Sequence, residues 1–147
     1  MDWKQYLNTY RELREEINDE EERLGTICPE HIASSGSGGG GGHGKPDRMA
    51  TQICIRADLE VKLTEMKKKE TQMRSKIEAA VDAALKPNEK RVIRLRYIDG
   101  NDWRLIAQII YHKRPDYVEC QESYKRMTLR THGHALEKLN KLIKKGD

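Results

Sequence analysis

Phenylalanine is missing altogether from these 147 residues, and aromatic residues of any kind make up only 5% of the chain. Hydrophobic residues reach 36%, and charged residues nearly match them at 35%. Such a composition excludes a generous core over the full length and argues against a sandwich or barrel, leaving helices with narrow apolar stripes. No run of about eighteen apolar residues is present, so no segment is expected to span a membrane. The opening "MDWKQYLNTY" lacks the basic-then-apolar pattern of a secretory signal. Cysteine is scarce as well. Cys28, Cys54 and Cys120 are odd in number and widely spread, which fits free thiols in a reducing cytoplasm better than a disulfide framework.

Charge, by contrast, is abundant and unevenly placed. Residues 1–24 carry four basic and eight acidic side chains, whereas residues 87–147 carry fourteen basic and eight acidic. This segregation points to an anionic partner for the C-terminal part, although a solvated lysine-rich surface would look the same without a motif.

Hydrophobic spacing divides the chain into four stretches of an all-α protein. Over 1–24, Trp3, Tyr6, Tyr10, Leu13, Ile17 and Leu24 recur at intervals of three and four, with Glu20 interrupting the stripe. That predicts a charged amphipathic helix with a coiled-coil-like seam. Residues 25–46, containing "SSGSGGGGGHG", read as a flexible linker, since so many glycines lose too much backbone entropy on ordering. A second long helix is expected over 47–86, capped by Asp47, with Leu59, Leu63, Met66, Met73, Ile77, Ala80 and Ala84 on its seam. The two helices could form a hairpin or an oligomerisation stalk, and a homo-oligomer is therefore a candidate assembly. Pro87 ends the second helix and suits the first turn of the next.

Residues 87–147 carry the chemistry. "PNEKRVIRLRYI" predicts a helix burying Val92, Leu95 and Ile98, with Lys90, Arg91, Arg94 and Arg96 mostly outside. Gly100 can close it in the left-handed conformation, and Asn101 or Asp102 can cap a following helix from Trp103 to about Tyr111. Trp103, Ile106, Ala107 and Ile110 give that helix one buried face, and the small Ala107 allows another helix to cross closely. A long last helix has a seam of Thr128, Thr131, Ala135, Leu139 and Leu142, flanked by Leu136 and Ile143. Its first turns hold Lys125, Arg126, Thr128, Leu129, Arg130 and His132, the expected DNA-contacting set. Arg104, Lys113, Arg114 and His134 are expected phosphate contacts. Two helices joined by a short turn and followed by a basic-fronted helix match a helix-turn-helix, in which arginine reads guanine and cations hold phosphates. A plain three-helix bundle shares most of this pattern.

Taken together, "LRYIDGNDWRLIA" and "LRTHGHALEKL" resemble the sigma-factor region-4-like domain of phage late transcriptional activators of the RinA and ArpU type. The matching positions are Arg96, Tyr97, Gly100, Asp102, Trp103, Ile106 and Ala107, then Arg130, His132, Gly133, Ala135 and Leu136. The likeness is detailed over about residues 85–142 and one of layout only before that. It implies a DNA-binding regulator of phage or prophage origin, acting at a late promoter with bacterial RNA polymerase in the host cytoplasm. The residues themselves offer only a weak catalytic reading, so no enzymatic activity is expected.

The chain departs from the family in "HKRPDYVECQES", where it carries extra residues. Either the last helix begins at Asp116, with Glu119 completing a capping box, or His112 to Glu122 form an extended turn and Ser123 caps the helix. The first would present Asp116, Glu119 and Glu122 to phosphates, so electrostatics favours the second. A compromise is an acidic helical turn followed by a bend.

Rival readings have weaker residue support. The glycine tract lacks the preceding strand and following Ser/Thr of a phosphate loop. Cys28, His31, His43 and Cys54 are too irregularly spaced for a persuasive zinc site; no metal and no cofactor are expected. A packaging protein resembling a phage small terminase would also join a DNA-binding module to oligomerising helices, but in the opposite order. A coiled-coil adaptor that binds no DNA is the third alternative.

Overall fold

A computed structural model describes residues 2–27 and 46–146, with side chains over 2–27 and 50–146. The described residues are all-α, as the composition predicts: helices and turns, with no strand among them. The elements are α1 (Trp3–Thr26), α2 (Pro46–Ala84), α3 (Pro87–Ile93), a π-helical turn (Arg94–Ile98), α4 (Trp103–Tyr111) and α5 (Gln121–Gly146). None of these helices is long and apolar enough to cross a membrane. The glycine-rich linker, and with it Cys28, His31 and His43, lies outside the described residues. Pro46 opens α2 one residue ahead of Asp47, the cap expected from sequence.

The chain divides into two compact units. One comprises residues 13–71, and the other joins the chain's first twelve residues to everything from Gln72 onward. The expected boundary at residue 87 is therefore not a boundary of packing, because the end of α2 belongs with the helices that follow it.

Within the unit of residues 13–71, α1 and α2 run antiparallel and bury Leu13, Ile17, Leu59 and Leu63. Two hydrogen bonds tie the pair together toward the linker end. Arg56 donates to the carbonyl of Ile27 at 3.2 Å and Lys62 to Glu20 at 2.9 Å. Glu20, the residue that interrupts the apolar stripe, is thus a designed partner for Lys62, whose hydrogen bond holds its carboxyl below the usual carboxylate range. A hairpin within one chain is the arrangement found. Ile53, Ile55 and Val61 stay exposed on α2.

The other unit buries Trp3, Leu7 and Tyr10 of α1 and Met73, Ile77, Val81 and Leu85 around the end of α2. Leu7 and Val81 lie off the stripes read from sequence, whereas Tyr6, Ala80 and Ala84 are only half-buried. The Trp3 backbone N–H donates to Asn140 at 2.9 Å, tying the start of α1 to α5. Lys76 sits 5.0 Å above the Tyr6 ring, a cation–π contact.

Of the expected stripe from α3 onward, Val92 and Ile98 are buried and Leu95 is only half-buried. Ile93 and Tyr97 are buried as well. The π turn widens the helix over Arg94–Ile98 and turns Tyr97 inward in place of Leu95. Asp99 accordingly donates back to the Arg94 carbonyl and Asn101 to that of Leu95. Gly100 then takes φ +76°, the left-handed closure anticipated at this position.

Candidate nucleic-acid interface

The turn after Gly100 sets the entry of α4. Asp102 has extended backbone, and its side chain accepts from the Leu105 N–H at 2.7 Å, so Asp102 and not Asn101 is the cap. Ile106 and Ala107 are essentially fully buried on α4, with Trp103 and Ile110 half-buried. Opposite them, α5 buries Thr128, His132, Ala135 and Leu139, with Leu136 half-buried beside that seam. Of the expected scaffold residues, Ile106, Ala107 and Ala135 are buried and Trp103 and Leu136 half-buried, while Gly100 and Asp102 are exposed and shape the turn before α4.

Aromatic contacts fix this packing. Trp103 meets His132 edge-on at 4.7 Å between centroids, and Arg96 lies over the Trp103 ring at 4.7 Å. His132 Nε2 is 2.8 Å from the Tyr97 hydroxyl. Burial, aided by the cations of Lys4 and Arg96, pushes the His132 pKa down to about 4. His132 is therefore a neutral core residue and not a DNA contact. Thr128 is corrected on the same ground: it has no exposure, and its hydroxyl donates to the Tyr124 carbonyl at 2.9 Å. A basic run surrounds both in sequence, but the helical period places them on the opposite side of α5.

The segment with extra residues forms an ordered turn. Neither Asp116 nor Ser123 starts the last helix, which begins at Gln121. Ahead of it, the Cys120 N–H donates to the carbonyls of Asp116 and Tyr117, giving a helical turn before the helix proper. Tyr117 is buried, and its ring stacks on Tyr124 at 5.9 Å; Tyr111 stacks on Tyr124 at 4.8 Å. The Tyr124 hydroxyl also donates to Asp116, holding that carboxyl below its usual range and raising the phenol's own pKa. This tyrosine trio was not anticipated. A run of polar residues hid it, although the seven-residue interval from Tyr117 to Tyr124 carries the helical repeat.

Sorting the cations by partner defines the surface. Asp82 takes Lys90 at 3.2 Å and Arg94 at 3.1 Å, and Glu89 takes Lys138 at 2.6 Å. Arg96 donates to the Asn101 carbonyl, and Arg91 reaches that of Ile109. Five of the fourteen basic residues over 87–147 are consequently engaged within the protein. Arg104, Lys113, Arg126 and Arg130 are exposed and make no ion pair among the described residues. Arg114 and His134 are exposed as well, Leu129 is 39% exposed and Lys125 is half-buried.

On α5, Arg126 and Arg130 stand one turn apart on the side away from the buried seam. The remaining exposed cations over 87–147, without an ion pair among the described residues, fall at the start of α4, in the following turn, on the first turns of α5 and again at its end, where Lys141, Lys144 and Lys145 are exposed. A cleft of about 370 Å³ lined by Lys86, Pro87, Asn88, Glu89, Thr131 and His134 lies in the same unit. Its Glu89 carboxylate makes it a poor phosphate site. No protein-family model, curated protein or solved structure matches this chain.

Proposed function

We propose that the C-terminal helices form a DNA-binding helix-turn-helix, and that the protein is a sequence-preferring transcription regulator. In this reading α4 is the bracing helix and α5 the recognition helix. Arg126 and Arg130 enter the major groove, where a guanidinium can bond guanine bidentately. Leu129 lies beside them for apolar contact, and Lys125, Arg104, Lys113, Arg114 and His134 flank the groove as phosphate contacts. The observation that carries this reading is the exposed, unpaired Arg126–Arg130 stripe opposite the buried seam of α5. The resemblance to phage late activators extends the proposal to a late promoter and bacterial RNA polymerase in a host cytoplasm.

The test is binding to duplex DNA over a range of salt, comparing a random pool with duplexes that the protein itself enriches from that pool. Preference for the enriched sequences and a steep fall in affinity with salt are expected. Equal affinity for both pools would replace the regulator by a packaging or other non-specific binder, and no binding would leave the coiled-coil adaptor.

Self-association has separate support. Ile53 and Val61 are 58% and 60% exposed on α2, apolar surface that a second copy could cover. Sedimentation of the full chain checks this, with a monomer at all concentrations removing the oligomer from the account.

A further inference from the structure

Gly133 lies well inside α5, where glycine is the least favourable residue after proline. Two internal needs ordinarily account for such a glycine: a left-handed backbone or another segment packed against it. Neither applies. Gly100 is the only described residue with positive φ, and a Cβ built on Gly133 would meet nothing within 4 Å. The helix continues unbroken from Gln121 to Gly146. This chain's own fold therefore makes no use of the missing side chain.

Position on the helix supplies the missing use. Arg126, Arg130 and Gly133 follow the i, i+4, i+7 spacing of one helical stripe, and all three are exposed. Glu137, also exposed, comes next on that stripe. Gly133 thus stands between the two arginines and Glu137 on this face, which further on carries the exposed Lys141 and Lys144.

We infer that Gly133 is the point of closest approach between α5 and duplex DNA, and so a positioning residue for the two arginines. Its bare backbone lets the sugar–phosphate wall of the groove come directly against the helix, which seats Arg126 and Arg130 deep enough to reach base edges. A methyl group there holds the helix off. Glu137, one turn further on, sets an acid between this contact and the exposed Lys141 and Lys144. This inference rests on the DNA-binding reading above.

The experiment compares the wild-type chain with Gly133→Ala and Gly133→Leu, using duplexes enriched by the wild type from a random pool. Affinity and thermal melting are both read. Gly133→Ala is expected to melt higher by roughly 2–8 °C, because alanine favours the helix. It is also expected to bind about tenfold or more weakly, the scale of one lost base contact, with Gly133→Leu weaker still. A rise in melting temperature alongside lost binding rules out misfolding as the cause. Unchanged or tighter binding by Gly133→Ala overturns the inference while leaving the DNA-binding reading intact. A wild type that enriches no duplex overturns both.

Discussion

The Tyr97 hydroxyl and Nε2 of His132 lie 2.8 Å apart, joining the π turn after α3 to the middle of α5 beneath the edge of Trp103. Because the imidazole is buried, its pKa falls to about 4 from an ordinary 6.5. The consequence for stability has a definite sign. Between those values the unfolded chain binds a proton at this histidine that the folded chain excludes, so folding weakens as pH falls through that window. Above pH 6.5 the histidine imposes no such penalty. Each pH unit inside the window costs at most about 1.4 kcal/mol. Urea unfolding of wild type and His132→Gln at intervals from pH 7 to pH 4 should show a steeper loss for the wild type, since other titrating groups are common to both. Parallel curves would show that His132 does not titrate as its burial requires.

What the sequence disclosed about this region, and what it hid, follows from the range of the interactions. Gly100 and Asp102 were readable because a helix stop and a helix cap depend on a few adjacent residues. Ile106, Ala107 and Ala135 were readable from the helical period. Within residues 94–98 the spacing places Ile98 correctly and Leu95 wrongly, because nothing local announces the π turn that brings Tyr97 inward. His132 was misassigned for a different reason. Its partners Tyr97 and Trp103 are far away in sequence, and a histidine among basic residues looks like a DNA contact until those partners are known. The start of α5 depended on the same kind of distant contact, between Tyr111, Tyr117 and Tyr124.

The turn between α3 and α4 should be sensitive at two positions. Gly100→Ala forces a side chain into the left-handed region at φ +76°, costing roughly 1–2 kcal/mol. Asp102→Ala removes the acceptor of the Leu105 N–H, costing about 0.5–2 kcal/mol, whereas Asp102→Asn keeps it and should be nearly neutral. Urea unfolding at neutral pH checks both. Equal losses for the alanine and asparagine variants would mean that the charge of Asp102, and not its cap, matters there.

Glu89 and Lys138 form a pair whose members are unequally protected. The glutamate is 8% exposed, with Oε2 buried and without a hydrogen-bond partner, while Oε1 accepts from Lys138 at 2.6 Å. Removing the lysine strands a buried carboxylate, so Lys138→Met should destabilise by a few kcal/mol, moderated by the solvent that reaches the lysine end. Glu89→Leu combined with Lys138→Met should recover part of that loss. A double-mutant cycle by chemical unfolding measures the coupling, and a double variant as unstable as the sum of the two singles would show that there is none.

Arg126 and Arg130 separate binding from stability. Both are exposed and make no ion pair among the described residues, so Arg126→Ala with Arg130→Ala should change unfolding free energy by no more than about 0.5 kcal/mol per site. If both touch the nucleic acid, affinity for enriched duplexes should fall, and any arginine that contacts phosphate should lower the slope of log affinity against log salt by about 0.9. An arginine that instead reads guanine should cost about 1–3 kcal/mol at its own base pair and relax the preference there. Binding titrations at several salt concentrations, for each single variant and the pair, resolve the two roles. Wild-type affinity and slope in the double variant would exclude this face of α5 from the contact and return the search to Arg104, Lys113 and Arg114.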